Sequence, residues 1–432
     1  MSNYQRELYP DIDDITWQEL HNTPVLLAQE PERQYRYVPA SDRTYRKPPL
    51  HFSIEITRCD GQSNIKTLHP GSIFEGFVSI SVESALAAQH IKLIFRAAER
   101  IHSDAISQAS KKKDERLFAI RTILWGKSDT SQRLSKWPVL EAGEHRFPFM
   151  CELPMVNYPP TFRHHLASCE FELIGCIERP GIRPFQTVPL ALRYEPYIVS
   201  ESLKVPEPFL SKKSISNQVK AMVTLPTGSY VNLLDTRSAN IPIKLAVYDS
   251  SHSSNTQCAA SHIEAYIERI IHVKHGNYQK SDTSVISQAD TSTFKVLDQW
   301  HSKRNRFYHI KLPLPTELTT HKNHLASKNF SVLGMTTCLN FSKFIKLEYQ
   351  LCITCKVKHG LISTKKQLFK IPLKVGTLSP GVQTPSSLVS YRDPQVTEDH
   401  SLLTKPKFLK PMHLDEQLPA YNEERSPPEY IV

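Results

Sequence analysis

From Leu50 onward, apolar residues recur at every second position in short segments, the period of a strand with one buried face. Phe52, Ile54 and Ile56 form the first set, and Val78, Ile80 and Val82 the next. Ile91, Leu93 and Phe95 follow, then Phe171 and Leu173 leading into Ile177. The same period returns at Ile241, Ile243, Leu245 and Val247, and again from Leu347 through Tyr349, Leu351, Ile353 and Cys355 to Val357. Helical periodicity is nowhere sustained. Many short strands separated by turn residues, with no intervening amphipathic helices, predict an all-β protein of antiparallel sandwiches rather than a parallel α/β sheet.

Between the two groups of strands lies Ser200-Glu201-Ser202-Leu203-Lys204-Val205-Pro206-Glu207-Pro208. Two prolines spaced by one residue cannot donate to a ladder and suit an extended connector. The predicted division is therefore a first sandwich over 50–200, a linker over 201–215 and a second sandwich over 216–376. After Gly376 the apolar period vanishes, and 8 of the last 56 residues are proline, which predicts a disordered tail over 377–432. Residues 1–49 are also expected to be disordered, with Trp17, Leu20, Val25, Leu26 and Leu27 available for docking.

Composition narrows the function. Glycine supplies only 13 of 432 residues, which argues against glycine-rich phosphate loops. No apolar run is long enough to span a membrane, and the start Met1-Ser2-Asn3-Tyr4-Gln5-Arg6-Glu7 is too polar for a signal peptide, so a cytoplasmic location is expected. Eight scattered cysteines read as free thiols. Net charge is +10, but both ends are mildly acidic, and positions 50–376 carry 42 basic and 27 acidic residues. That basic middle favours anionic partners. Its compact run, Lys111-Lys112-Lys113, is a candidate contact for an anionic lipid surface.

Catalytic chemistry finds no foothold. Cys352 and Cys355 have the spacing of a redox or zinc pair, but positions i and i+3 of a strand point to opposite faces. His164-His165 and the looser set His262, His272 and His275 lack the i, i+4 helical pairing of metalloproteases, and most of the nineteen histidines are expected to be ordinary solvent-facing residues. Neither a Gly-x-Ser-x-Gly elbow nor a phosphate loop occurs. The expectation is a protein that is not an enzyme, with no metal and no cofactor.

The last fifteen residues carry two proline-tyrosine motifs, Leu418-Pro419-Ala420-Tyr421 and Pro427-Pro428-Glu429-Tyr430. Prolines hold a polyproline II turn that lies in the aromatic groove of a WW domain, and the tyrosine enters an adjacent pocket. Chance would supply each motif roughly 0.1 times in a chain of this composition, so both together at one end point to WW-domain binding. Ser426 precedes Pro427 and is a candidate for proline-directed phosphorylation. Tyr158-Pro159-Pro160-Thr161-Phe162 has the prolines but phenylalanine at the tyrosine position, and is not expected to bind.

Over residues 50–376 the chain resembles the α-arrestins, the arrestin-related trafficking adaptors common in fungi. The similarity is strongest at Gly143-Glu144-His145-Arg146-Phe147-Pro148-Phe149-Met150-Cys151-Glu152-Leu153-Pro154 and the following Tyr158-Pro159-Pro160-Thr161-Phe162. Pro70-Gly71-Ser72-Ile73-Phe74-Glu75-Gly76 is similar to the family's earlier turn and strand entry. Leu312-Pro313-Leu314-Pro315, Lys346-Leu347-Glu348-Tyr349-Gln350-Leu351 and Ile371-Pro372-Leu373-Lys374-Val375-Gly376 look like its closing elements. Thr236-Arg237-Ser238-Ala239-Asn240-Ile241-Pro242 lacks the usual Pro-Gly turn, and long polar insertions near 102–115 and 276–293 depart from the pattern.

The resemblance implies two arrestin-like, immunoglobulin-like sandwiches. It also implies an adaptor that brings a WW-domain HECT-type ubiquitin ligase to plasma-membrane transporters or receptors, promoting their ubiquitination and endocytosis. Recruitment would be from the cytoplasm to the plasma membrane or endosomes. Two alternatives are a signalling scaffold of the same fold, responsive to pH or nutrients and regulated by ligase binding, and a basic β-sandwich that binds nucleic acid. The two polar insertions contain no arginine and a single aromatic, Tyr278, so no nucleic acid is expected.

Overall fold

A computed structural model describes residues 35–60, 67–102, 114–126, 136–179, 182–199, 207–215, 219–233, 240–249, 260–276, 278–290, 295–296, 305–315, 335–339, 342, 344–359, 362–391 and 405–409. Among them all regular structure is β. The first part of the chain forms β1 (Tyr37–Pro39), β2 (His51–Cys59), β3 (Thr67–Leu68), β4 (Ile73–Val82), β5 (Leu86–Ala87), β6 (His90–Ile101) and β7 (Asp114–Gly126). It continues with β8 (Lys136–Leu140), β9 (Gly143–Glu152), β10 (Val156–Asn157), β11 (Phe162–Arg163), β12 (Ala167–Arg179), β13 (Ile182–Gln186) and β14 (Leu190–Tyr194). The second part begins with β15 (Phe209–Ser214), β16 (Val219–Leu225), β17 (Tyr230–Asn232), β18 (Asn240–Asp249), β19 (Ala260–His275) and β20 (Tyr278–Asp290). After β21 (Lys295–Val296), β22 (Asn305–Pro313), β23 (Ile345–His359) and β24 (Ile362–Gly376), the tail adds β25 (Val389–Ser390) and β26 (Lys407–Leu409).

Two sandwiches result. In the first, the sheet β2-β4-β9-β26 packs on β3-β14-β12-β6-β7, with β11 and β13 also paired to β12. Alternation on β4 sends Phe74, Val78 and Ile80 inward, and Phe147, Phe149 and Cys151 do the same on β9. They meet Leu93, Phe95 and Phe171 of the facing sheet, with Phe74 and Phe95 edge to face at 5.5 Å. Phe95 is fully buried, so truncating it to alanine would cost about 3 to 5 kcal/mol. In the second sandwich, β15-β16-β18-β22-β21 faces β17-β24-β23-β19-β20.

The stretches quoted for the family resemblance are structural. Gly71 has φ +78°, a conformation that suits glycine. At Gly76 a Cβ would lie 2.0 Å from the Glu55 carbonyl oxygen, where β2 bulges against β4. Pro148 lies on β9 beyond the short β26, where the strand is an edge and needs no donor.

Four sequence expectations are corrected. The polar insertion near 276–293 is largely a strand: β20 pairs with β19 along its whole length. An edge strand needs apolar residues on neither face in strict alternation, so a run of Ser, Thr, Asp and Gln concealed it. The linker placed at 201–215 contains β15, which pairs with β16 from Phe209 to Ser214. Part of the tail expected to be disordered is ordered, because β25 pairs with β10 and β26 with β9. At the other end, β1 pairs with β8 within the segment 1–49. Trp17, Leu20, Val25, Leu26 and Leu27 lie outside the described residues.

Candidate functional site

The WW-binding residues Leu418, Pro419, Tyr421, Pro427, Pro428 and Tyr430, the candidate phosphoacceptor Ser426, and Lys111, Lys112 and Lys113 all lie outside the described residues. The structure does describe two stretches of the chain that precede the motifs, 377–391 and 405–409. After β24 the Thr377 hydroxyl donates to the Pro196 carbonyl at 2.6 Å and accepts from the Ile198 amide at 3.0 Å. Tyr391 then packs its ring 5.4 Å from that of Tyr158, and its hydroxyl donates to the Arg116 carbonyl. At β26, Phe408 is buried opposite Cys151, and Lys407 pairs with Glu152 at 2.9 Å. From Leu409 to Leu418 is nine residues, a span of at most about 30 Å.

Polar contacts join the two sandwiches. Glu195, on the chain after β14, is buried; its carboxylate accepts from Arg193 at 3.3 Å and from the Thr337 amide at 3.3 Å. Burial pushes this carboxyl up to about 7, against the opposing pull of the Arg193 charge and the Thr337 amide. Arg193 also reaches the Met335 carbonyl, and Ser342 donates to Glu99 at 2.9 Å. His164 contacts Asp282 of β20 at 3.0 Å, and its side chain is only 7% exposed, so it is not among the solvent-facing histidines. The turn between β11 and β12 presses that ring against the second sandwich.

A further surface escaped the sequence reading. Cross-strand register places Lys212 beside Met222, Ala246 and Phe307; Lys220 beside Tyr248; Lys244 beside His309; and Lys311 beside Pro242. All of these lie on the face of β15-β16-β18-β22 turned away from the core, since the alternate positions Val223, Leu245 and Ile310 are buried. No carboxylate occupies that face among the described residues. The signal was present in the sequence as Lys212, Lys220, Lys244 and Lys311 at polar positions of four different strands, but only register brings them together. The surface can attract an anionic partner and offer Met222, Tyr248 and Phe307 as apolar contact.

The Cys352 and Cys355 thiols fall on different faces of β23: Cys355 belongs to the main core, and Cys352 accepts a weak contact from the Gln367 amide at 3.7 Å. Burial raises the Cys352 thiol to about 12, so it is not poised as a thiolate.

With this architecture in place, the first sandwich can be compared with known families. Residues 59–189 match the family model described as Arrestin (or S-antigen), N-terminal domain. Over these residues the first sandwich is similar to an arrestin N-terminal domain. The match runs from the end of β2 to the residue before β14, and so includes β4, β9 and β12, which build its core. It supports an arrestin-type adaptor or scaffold as the class of function, and arrestin-type proteins are generally not enzymes. No curated protein matches the chain.

Proposed function

We propose that this protein is an adaptor that joins membrane-protein cargo to a WW-domain HECT-type ubiquitin ligase, so that transporters or receptors are ubiquitinated and taken up by endocytosis. The observation that carries this reading is the tail: two proline-tyrosine motifs begin nine residues after a strand docked on an arrestin-type domain. The body supplies a rigid platform and the tail a short linear ligand, a division suited to bringing two partners together. Lys212, Lys220, Lys244 and Lys311 form a surface we assign to anionic lipid or acidic cargo tails, in addition to the Lys111-Lys112-Lys113 run. The working location is the cytoplasmic side of the plasma membrane or endosomes. Affinity capture from lysate with the full chain and with a chain lacking the last fifteen residues tests the proposal. A HECT-type ligase retained only by the full chain supports it; equal retention by both, or by neither, refutes it.

A further inference from the structure

The contact between the two sandwiches at His164 has a composition that hydrogen bonding does not require. His164 and His165 stand in the turn joining β11 to β12, fixed by the pairing of Arg163 with Ser168 and by the bond from the His164 amide to the Ala167 carbonyl. Their rings are 4.1 Å apart, tilted by 42°. Asp282 reaches them from β20, 118 residues further along the chain. One nitrogen of each imidazole and one oxygen of the carboxylate all lie within 4.8 Å of one another.

We propose that His164, His165 and Asp282 form a divalent-metal site of the zinc class that ties the arrestin-type domain to the second sandwich. Two imidazoles and a carboxylate suit a borderline cation such as Zn2+, whereas Mg2+ and Ca2+ take oxygen ligands. Three protein ligands leave a fourth tetrahedral position for water. Ligand atoms around zinc sit about 2.0 to 2.2 Å from the metal, so the present spacing must tighten. His165 is exposed, and its side chain can swing to close the gap.

Two features work against tight binding and set its strength. Coordination through Nε2 moves the His164 ring proton to Nδ1, which then gives up the contact it accepts from the Leu166 amide at 3.3 Å. Arg269 shares a strand face with Ile271, opposite Asp282, and adds positive charge nearby. Affinity should therefore be modest, with a Kd on the order of 10 µM. The expectation drawn from sequence, that these histidines lack metal spacing, rested on helical pairing; here the ligands come from a turn and an edge strand of different domains.

The test is calorimetric titration of the full chain with Zn2+, repeated with Co2+ while recording the visible spectrum. One site per chain is expected. His165→Ala and Asp282→Asn should each weaken it at least ~10-fold. Co2+ should give tetrahedral d–d bands without the intense near-ultraviolet band of a thiolate ligand. His165 is exposed, and an asparagine at 282 can still accept from His164, so both variants should fold; their unfolding temperatures without metal check this. Zn2+ should raise the unfolding temperature of the parent chain and not of the variants. Binding unchanged by both substitutions, a thiolate band, or no binding at ~100 µM Zn2+ would overturn the proposal.

Discussion

On the outer face of β6 and β12 in the arrestin-type domain, each cation stands beside a carboxylate: Lys92 beside Glu178 at 2.9 Å, Arg96 beside Glu172 at 2.8 Å, and Arg100 beside Glu170 at 3.9 Å. On the outer face of β16, β18 and β22 in the second sandwich, Lys220, Lys244 and Lys311 have Tyr248, His309 and Pro242 as cross-strand neighbours. The first face is a ladder of ion pairs in which Lys92 and Arg96 are buried. The second leaves its lysines in water. An excess of basic residues over positions 50–376 thus has two fates: charge matched within the fold, which sets stability, and charge left unmatched on one sheet, which is free to meet a partner.

Substitutions should separate these fates. The largest effect is expected at Arg96→Ala, which leaves Glu172 nearly buried without its partner and should cost about 3 kcal/mol of stability. Denaturant unfolding measures it. Binding to anionic vesicles should not change, and the double substitution Arg96→Met, Glu172→Leu should recover much of the stability. A loss of stability below ~0.5 kcal/mol would mean that the ladder is as inert as exposed pairs.

Glu195 offers a similar magnitude with a pH signature. Its carboxyl titrates near 7 in the folded chain and at the ordinary 4.5 when unfolded, so the folded state holds the proton more tightly. Stability from this group is fully present below pH 4.5 and is lost as pH rises through 7, a change of about 3 kcal/mol. Glu195→Gln should remove that slope between pH 4.5 and 7. Identical pH profiles for parent and variant would show that the group does not bear on folding.

The strand pattern was legible where one face is buried and the other wet. Val78, Ile80 and Val82 on β4, and Ile241 to Val247 on β18, were readable because their alternation is complete. β20 was not, because an edge strand at a polar surface carries no such alternation. β26 was hidden for another reason: three residues, Lys407, Phe408 and Leu409, become a strand only by borrowing the register of β9. The proline-tyrosine motifs are local and could be read directly, whereas the lysine face exists only through pairing of strands distant in sequence. Likewise, nothing near His164 in the chain announces Asp282.

Charge reversal on the second sandwich comes next in size. Lys220→Glu, Lys244→Glu and Lys311→Glu together should reduce sedimentation with anionic vesicles at least ~10-fold at low salt, given about 1 kcal/mol for each basic residue near such a surface. Stability should move by less than ~0.5 kcal/mol, the usual range for surface sites. Retained, salt-dependent binding would place the anionic contact elsewhere.

A smaller, local effect is expected at Phe408→Asp. Placing a charge in that buried site should detach β26 and speed hydrogen exchange at Met150 and Glu152, whose amides face β26, while Cys151, facing β4, and the rest of the first sandwich stay protected. Unchanged exchange there would deny the tail its anchor.

The adaptor reading is tested most directly by titrating the full chain with a tandem WW-domain fragment of a HECT-type ligase in a calorimeter. Parent protein should bind, Tyr430→Ala or Tyr421→Ala alone should weaken it, and the double substitution should weaken it at least ~10-fold further as linkage between the motifs is lost. Equal binding by the parent and the double variant would contradict the account.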